Sequence, residues 1–172
     1  MEFLPIFQVV QDKACLVAGG GRTAERKVGS LLRGGAAVTL VSPELTNGLA
    51  RRVQAGEIRH LERRFEPGDM TGAKLAIAAT DDRVVNRRIA ELAREQDIPV
   101  NVADDPDACT FLLPSVIDRD PVVVAVSTGK ASPVLARLLR TRLESVIPAG
   151  YGRLGELCAR YRDRVKARFS DE

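Results

Sequence analysis

The chain has 172 residues, 45% of them apolar and 28% charged, which suits one soluble globular domain or one domain with a small appendage. No run approaches the ~20 apolar residues of a membrane helix, so no membrane partner is expected. A formal net charge of +3, with scattered Arg and only 4% aromatics, argues against nucleic acid as a partner, because it lacks a concentrated basic face with stacking rings.

There is no Trp, so the core must be aliphatic. Cys15, Cys109 and Cys158 are dispersed without CxxC spacing, which predicts reduced thiols in a cytoplasmic protein. The opening "MEFLPIFQVVQDK" has neither a basic start nor a long apolar stretch, so no signal peptide is expected.

In chain order, Lys13–Gly19 is a short apolar run that ends on glycine and reads as a buried strand. "TAERKVGSLLRGG" follows as a helix, with Ala24, Val28, Leu31 and Leu32 at helical spacing and Gly34 and Gly35 as its stop. Ala36–Pro43 is β-rich, and Leu45–Gly56 suits a helix. Ile58–Phe65 alternates like a partly exposed edge strand, and Lys74–Thr80 reads as a buried strand. Asp81–Asp97 is a helix with acidic residues at its start, where the helix dipole favours them, and Ile98–Asp104 is a further strand. This alternation predicts an α/β fold, a Rossmann-like parallel sheet with helices on both faces and right-handed crossovers.

The rhythm then changes. "CTFLLPSVI" and "PVVVAVST", joined by "DRD", predict an antiparallel pair. Ser132–Pro148 is a helix with Ser132 as N-cap and Pro133 at its first position. A last helix carries the apolar stripe Leu154, Leu157, Cys158, Tyr161 and Val165. We therefore place a boundary near residue 113, with a small α+β extension after it. So small an extension cannot bury its own apolar face, which predicts a homodimer.

Gly19, Gly21 and Ala24 form G-x-G-x-x-A between a strand and a helix. The first glycine allows a tight turn, the second lets a pyrophosphate approach the backbone, and Ala24 permits close helix–strand packing. With Gly20 between them, these residues predict dinucleotide binding. An acidic residue that holds the ribose is expected about 20 positions on, at the end of the next strand. The chain reads "VSPE" there, so Ser42, the backbone of Pro43 and Glu44 are all candidates. No Arg stands right at this strand end to take a 2′-phosphate, although Arg51 and Arg52 follow soon after, so NAD is favoured over NADP.

At the later strand ends, Thr80 reads as a helix N-cap and a cofactor neighbour, and Asp81 and Asn101 join the candidate cofactor set. The acids Asp104, Asp105 and Asp107 cluster after the last parallel strand. Asp105 and Asp107 read as turn residues, whereas Asp104, nearer the strand end, is the candidate base beside a hydride transfer. "STGKASPVLARLLR" brings a glycine loop to a helix N-terminus, a second anion-friendly place. Ser127, Thr128, Gly129, Lys130 and Arg137 are the candidate contacts there for an acidic substrate. The sole histidine, His60, reads as a surface residue with no evident partner, so neither a Ser–His pair nor a permanent metal site is expected.

"LPIF", "CLVAGGGRTAERK", "LAIAATDD", "NVADDPDACTFLLPSVIDR" and "VAVSTGKASPVLARLLR", in this order, resemble the precorrin-2 dehydrogenase/sirohydrochlorin ferrochelatase module of siroheme synthase. The resemblance covers almost the whole chain. It implies NAD-dependent oxidation of precorrin-2 to sirohydrochlorin, with Fe²⁺ insertion to siroheme as a further activity in which Fe²⁺ is a substrate. It also implies a homodimer, with an NAD-binding Rossmann-like domain over 1–113, a dimerisation region over 114–148 and a C-terminal helical region over 149–172.

Under the same resemblance Asp104 stands at the family's catalytic aspartate. Arg22, Thr23, Pro43 and Glu44 match its NAD contacts. In some relatives a Ser in the "VAVS" loop is phosphorylated, and here Thr128 stands at the matching place after Ser127. The methyltransferase of larger relatives has no counterpart in these residues, so a stand-alone enzyme and a piece of a longer chain both stay open. Two other functional readings also stay open. One is a non-catalytic NAD-sensing module that uses the Arg-rich last helix. The other is an NAD-dependent oxidoreductase for a different acidic substrate.

Overall fold

The computed structural model describes residues 3–169. They form two compact units, Phe3–Leu112 and the residues from Leu113 onward.

The first unit is built on a five-stranded parallel sheet. Its strands are β1 (Ala14–Ala18), β2 (Ala37–Val41), β3 (Arg59–Leu61), β4 (Leu75–Ala78) and β5 (Val100–Val102), arranged β3-β2-β1-β4-β5. The order reverses direction at β1. That is the switch point at which doubly wound sheets open a crevice beyond their carboxyl ends. The alternating strand β3 lies at an edge, although only three residues of it pair.

Helices cover both faces, because side chains along each strand alternate in direction. Cys15 and Val17 of β1 face helix α1 (Arg22–Arg33) and helix α2 (Asn47–Gln54), in a cluster with Ala24, Val28, Leu31 and Leu49. Leu16 and Ala18 face the opposite side, where helix α3 (Arg83–Glu95) contributes Ile89, Ala90, Leu92 and Ala93. Each fully buried Leu, Ile or Val stabilises the fold by roughly 1.5–3 kcal/mol. Burial also pushes the Cys15 thiol pKa up from its ordinary value, so it stays protonated in the core.

The structure corrects two local expectations. The cap of α3 is Asp82, whose carboxylate accepts from the backbone N–H groups of Val84 and Val85, and not Thr80. Asp is among the preferred N-caps and sits directly before the helix. The strand foreseen from Cys109 begins only at Ser115. Thr110 instead returns to β5, where its N–H donates to the Val100 carbonyl at 2.8 Å and its hydroxyl accepts from the Val100 N–H. Pro114, which lacks an N–H, separates that segment from the strand.

The second unit pairs β6 (Ser115–Arg119) with β7 (Val122–Val126) in antiparallel register. Helix α4 (Pro133–Val146) follows, with Ser132 accepting from the Leu135 N–H as N-cap, and then helix α5 (Gly150–Arg168). The α5 stripe foreseen from spacing is exposed within the unit at Leu154, Leu157, Tyr161 and Val165.

A short 3-10 turn at Pro67–Met70, not foreseen from the sequence, precedes β4. There Arg63 donates to both carboxylate oxygens of Asp69, at 2.8 and 2.6 Å. These bonds hold the Asp69 pKa below its ordinary 3.8. A depressed carboxylate pKa contributes stability above the unfolded value, and that contribution is lost as pH falls through the folded one. Asp69→Asn is therefore expected to be less stable than the parent at pH 7, with the gap closing as the pH falls below 3.8. Urea denaturation at several pH values measures this, and a gap independent of pH contradicts it.

Candidate functional site

The candidate residues of the first unit converge on the carboxyl edge of the parallel sheet. The turn from β1 into α1 approaches both neighbouring strand ends. Gly19 has φ +116°, and a side chain there would run into the Ala79 carbonyl at the end of β4. A side chain on Gly20 would strike the Glu44 carbonyl and the Ser42 hydroxyl beyond β2. Gly21 differs, because a Cβ there would meet nothing within 4 Å. Glycine at 19 and 20 is thus required by the protein itself, whereas the bare backbone at 21 faces open space.

Gly21 is the N-cap of α1 and brings no side-chain cap, so the first N–H groups of a 12-residue helix are left for an anion. Arg22 beside it is exposed and Thr23 is half-buried. Ala24 is fully buried under the turn, as the G-x-G-x-x-A spacing requires. Open space at Gly21, uncapped N–H donors and close strand ends together fit the pyrophosphate of a dinucleotide.

Backbone hydrogen bonds bind the second strand end to this turn. Gly19 N–H donates to the Val41 carbonyl at 2.9 Å, and Thr46 N–H donates to the Gly20 carbonyl at 2.9 Å. Ser42 is buried and its hydroxyl donates to the Glu44 carbonyl at 2.7 Å, while Pro43 and Glu44 are exposed. His60 departs from the surface reading. It is half-buried on β3, and its Nε2 lies 2.9 Å from the Ser42 carbonyl oxygen, which fits an N–H donated to that carbonyl.

At the β4 end, Thr80 is fixed by Asn86. The Thr80 N–H and hydroxyl donate to Asn86 Oδ1 at 3.1 and 2.7 Å, and Asn86 Nδ2 donates to the Thr80 carbonyl at 2.9 Å. Asp81 is exposed beside it. At the β5 end, Asp104 is exposed with φ +58°, a left-handed conformation uncommon outside glycine. It lines a cavity of about 200 Å³ together with Arg83, Asn86 and Arg87. Asp105 pairs with Arg87 at 3.6 Å, and its carboxylate accepts from the Ala108 N–H at 3.3 Å, in keeping with a turn role.

Asn101 is buried, and its side chain is engaged within the protein. Its Oδ1 accepts from Lys27 Nζ and its Nδ2 donates to the Phe111 carbonyl at 3.0 Å.

Sequence reasoning missed Lys27 and Asn86. Both sit on inward helix faces, Lys27 three residues after Ala24 and Asn86 three before Ile89, so a polar residue interrupting an apolar stripe was the signal. Ser127, Thr128, Gly129, Lys130 and Arg137 lie in the second unit. There Thr128 Oγ1 donates to the Ser132 carbonyl at 2.8 Å and Gly129 N–H donates to Ser127 Oγ at 3.1 Å, which shapes the turn before α4. Arg137 is exposed on α4.

The NAD(P)-binding family model matches residues 6–115. The chain belongs to that family. A second model, the sirohaem synthase dimerisation region, matches residues 150–172. The chain's relatives include siroheme synthases, in line with the resemblance carried by the motifs. That of Methylobacillus flagellatus is 55% identical over 99% of this chain, and that of Nitrosospira multiformis is 52% identical over 99%. The chain spans only 36% and 37% of the length of those two proteins. Among solved structures, SirC, a precorrin-2 dehydrogenase, matches 99% of this chain and 83% of its own with a TM-score of 0.80. At 23% identity that likeness establishes a shared fold.

The glycines yield a paired test. Gly21→Ala is expected to keep the parent's melting temperature and to weaken NAD⁺ binding about tenfold or more, because the added methyl enters only the space left for the ligand. Gly20→Ala is expected to lose stability as well, because its methyl meets the Glu44 carbonyl. Thermal melts with cofactor titration distinguish the two, and normal binding by Gly21→Ala argues against this pyrophosphate site.

Proposed function

We propose that the chain oxidises precorrin-2 to sirohydrochlorin with NAD⁺, as one module of siroheme biosynthesis. The observation that carries the reading is Asp104. It is an exposed carboxylate in a left-handed turn at the carboxyl edge of a dinucleotide-type sheet, in a chain 55% identical to a siroheme synthase. Asp12 and Asp97 adopt the same left-handed backbone, which Asp tolerates better than most residues, so it is the place of Asp104 at the end of β5 that singles it out.

The oxidation removes a hydride and a proton from precorrin-2. Bound NAD⁺ supplies the hydride acceptor. The β1–α1 turn, with Gly19, Gly20, Gly21, Arg22 and Thr23, holds the pyrophosphate, and Ser42, Pro43 and Glu44 line the ribose side. Thr80 and Asp81 border the crevice at β4. Asp104 takes the proton. NAD is preferred over NADP because the β2 end offers the Glu44 carboxylate, while Arg52 is tied to Glu57 at 2.7 Å. In the second unit, Ser127, Thr128, Gly129, Lys130 and Arg137 are the residues we assign to contacts with an acidic substrate. Fe²⁺ insertion into sirohydrochlorin, with Fe²⁺ as substrate, is the further step.

The molecule acts as a homodimer. The exposed Leu138, Leu139 and Leu143 of α4 and Leu154, Leu157 and Tyr161 of α5 support this, as does the dimerisation-region match over 150–172. The dispersed free thiols support a cytoplasmic setting.

The test is anaerobic turnover of precorrin-2 followed by visible spectroscopy. A sirohydrochlorin spectrum that requires NAD⁺ is expected, and added Fe²⁺ should convert it to siroheme faster than in a protein-free control. Asp104→Ala should bind NAD⁺ normally and lose about 10²-fold or more in kcat. Full turnover by that variant removes Asp104 from the chemistry, and no turnover by the parent with bound NAD⁺ points to a sensing module or another acidic substrate.

A further inference from the structure

Among the described residues, those buried as a whole that carry polar side chains are Lys27, Ser42, Asn86 and Asn101, and of these four only Lys27 is charged; the buried Asp69 carboxylate, on a half-buried residue, is matched by Arg63. Lys27 stands on the inward face of α1, 8% exposed, nearly two turns after the glycines. Its ammonium donates to Asn101 Oδ1 across to β5, and among the described residues no carboxylate pairs with it directly. Asn101 passes the contact on, since its Nδ2 donates to the Phe111 carbonyl and lies 3.6 Å from Cys109 Sγ. Three residues beyond Asn101 the chain reaches Asp104.

Burial of an ammonium with one amide partner costs stability; a Met of similar length would fill the space without that desolvation but would strand Asn101 Oδ1. A charge retained at such a cost needs a reason outside packing. Burial and Arg26 on its own helix lower the Lys27 pKa from its ordinary 10.5, while Cys109 and Asp104 across the sheet edge oppose that shift.

We propose that Lys27 is a positioning residue that, through the Asn101 amide, holds the end of β5 so that the left-handed turn presents Asp104 to the crevice. The role rests on the dehydrogenase reading above, with Asp104 as base. Lys27 itself touches neither the proposed substrate nor the transferred hydride.

Lys27→Met and Lys27→Arg test it. Lys27→Met is expected to melt close to the parent, the relieved desolvation of the ammonium offsetting the stranded Asn101 acceptor, and to bind NAD⁺ within about threefold of it, because the pyrophosphate turn is untouched. Its kcat on precorrin-2 should fall about 10²-fold with little change in KM for NAD⁺, the signature of a displaced catalytic group. Amide hydrogen exchange at Ala103, Asp104 and Asp105 should quicken about tenfold, because the strand end loses its tie. Lys27→Arg, which keeps a donor and the charge, should recover part of the kcat and part of the protection.

Unchanged kcat in Lys27→Met overturns the proposal. So does a parallel loss of melting temperature, NAD⁺ affinity and kcat, which marks Lys27 as merely structural. If the parent itself does not oxidise precorrin-2, the dehydrogenase reading fails separately and amide exchange decides for Lys27. Faster exchange confined to residues 103–105 supports its hold on the turn, and unchanged exchange ends the idea.

Discussion

The parallel unit depends on bare backbone at the end of β1. At the switch point of the sheet, three strand ends and the start of a helix must share one small volume. Gly19 sits against the Ala79 carbonyl and Gly20 against the Glu44 carbonyl, so β4 and β2 close on β1 from either side. A side chain at either position would force the strands apart. Because those two glycines bring the strands together, the third is left bare over open space, where the uncapped N–H groups of α1 can meet an anion. Packing and ligand binding thus place different demands on three adjacent glycines.

Around that turn, polar side chains set inside the apolar layers secure the strand ends. Ser42 ties the β2 end to itself through the Glu44 carbonyl, and Asn86 grips Thr80 at the β4 end with three hydrogen bonds. Asn101, with Lys27, joins β5 to α1. Among the described residues, no buried side-chain N or O atom lacks a hydrogen-bond partner. A flexible strand end would leave a carboxylate such as Asp104 to sample many positions, whereas hydrogen bonds on successive strands narrow them.

The second unit is organised differently. A two-stranded sheet and two helices bury few side chains, Ile117 and Ala136 among them, and leave aliphatic residues of α4 and α5 exposed. Gly152 fits α5 against the Arg119 and Asp120 carbonyls, where a Cβ would collide. The unit's polar turn at Ser127–Ser132 is closed by its own hydroxyls. Its apolar surface has the character of a face completed by another molecule, in agreement with the match to a dimerisation region.

By itself the sequence determined the alternation of strands and helices, the edge position of β3, the burial of Cys15 and the turn built on Gly19 and Gly21. These are legible because strand and helix periods, glycine runs and caps are local properties of the chain. Tertiary structure alone decided which glycine faces open space, since that depends on carbonyls 24 and 60 residues away. It moved the α3 cap from Thr80 to Asp82, because Thr80 is held by an asparagine on the next turn. It turned His60 toward Ser42 and drew Thr110 back to β5 where a strand was expected. It also revealed Lys27, whose place in the α1 stripe was readable but whose partner, 74 residues on, was not. A charge on an inward helix face gives no sign of its compensation until the fold brings another strand beside it.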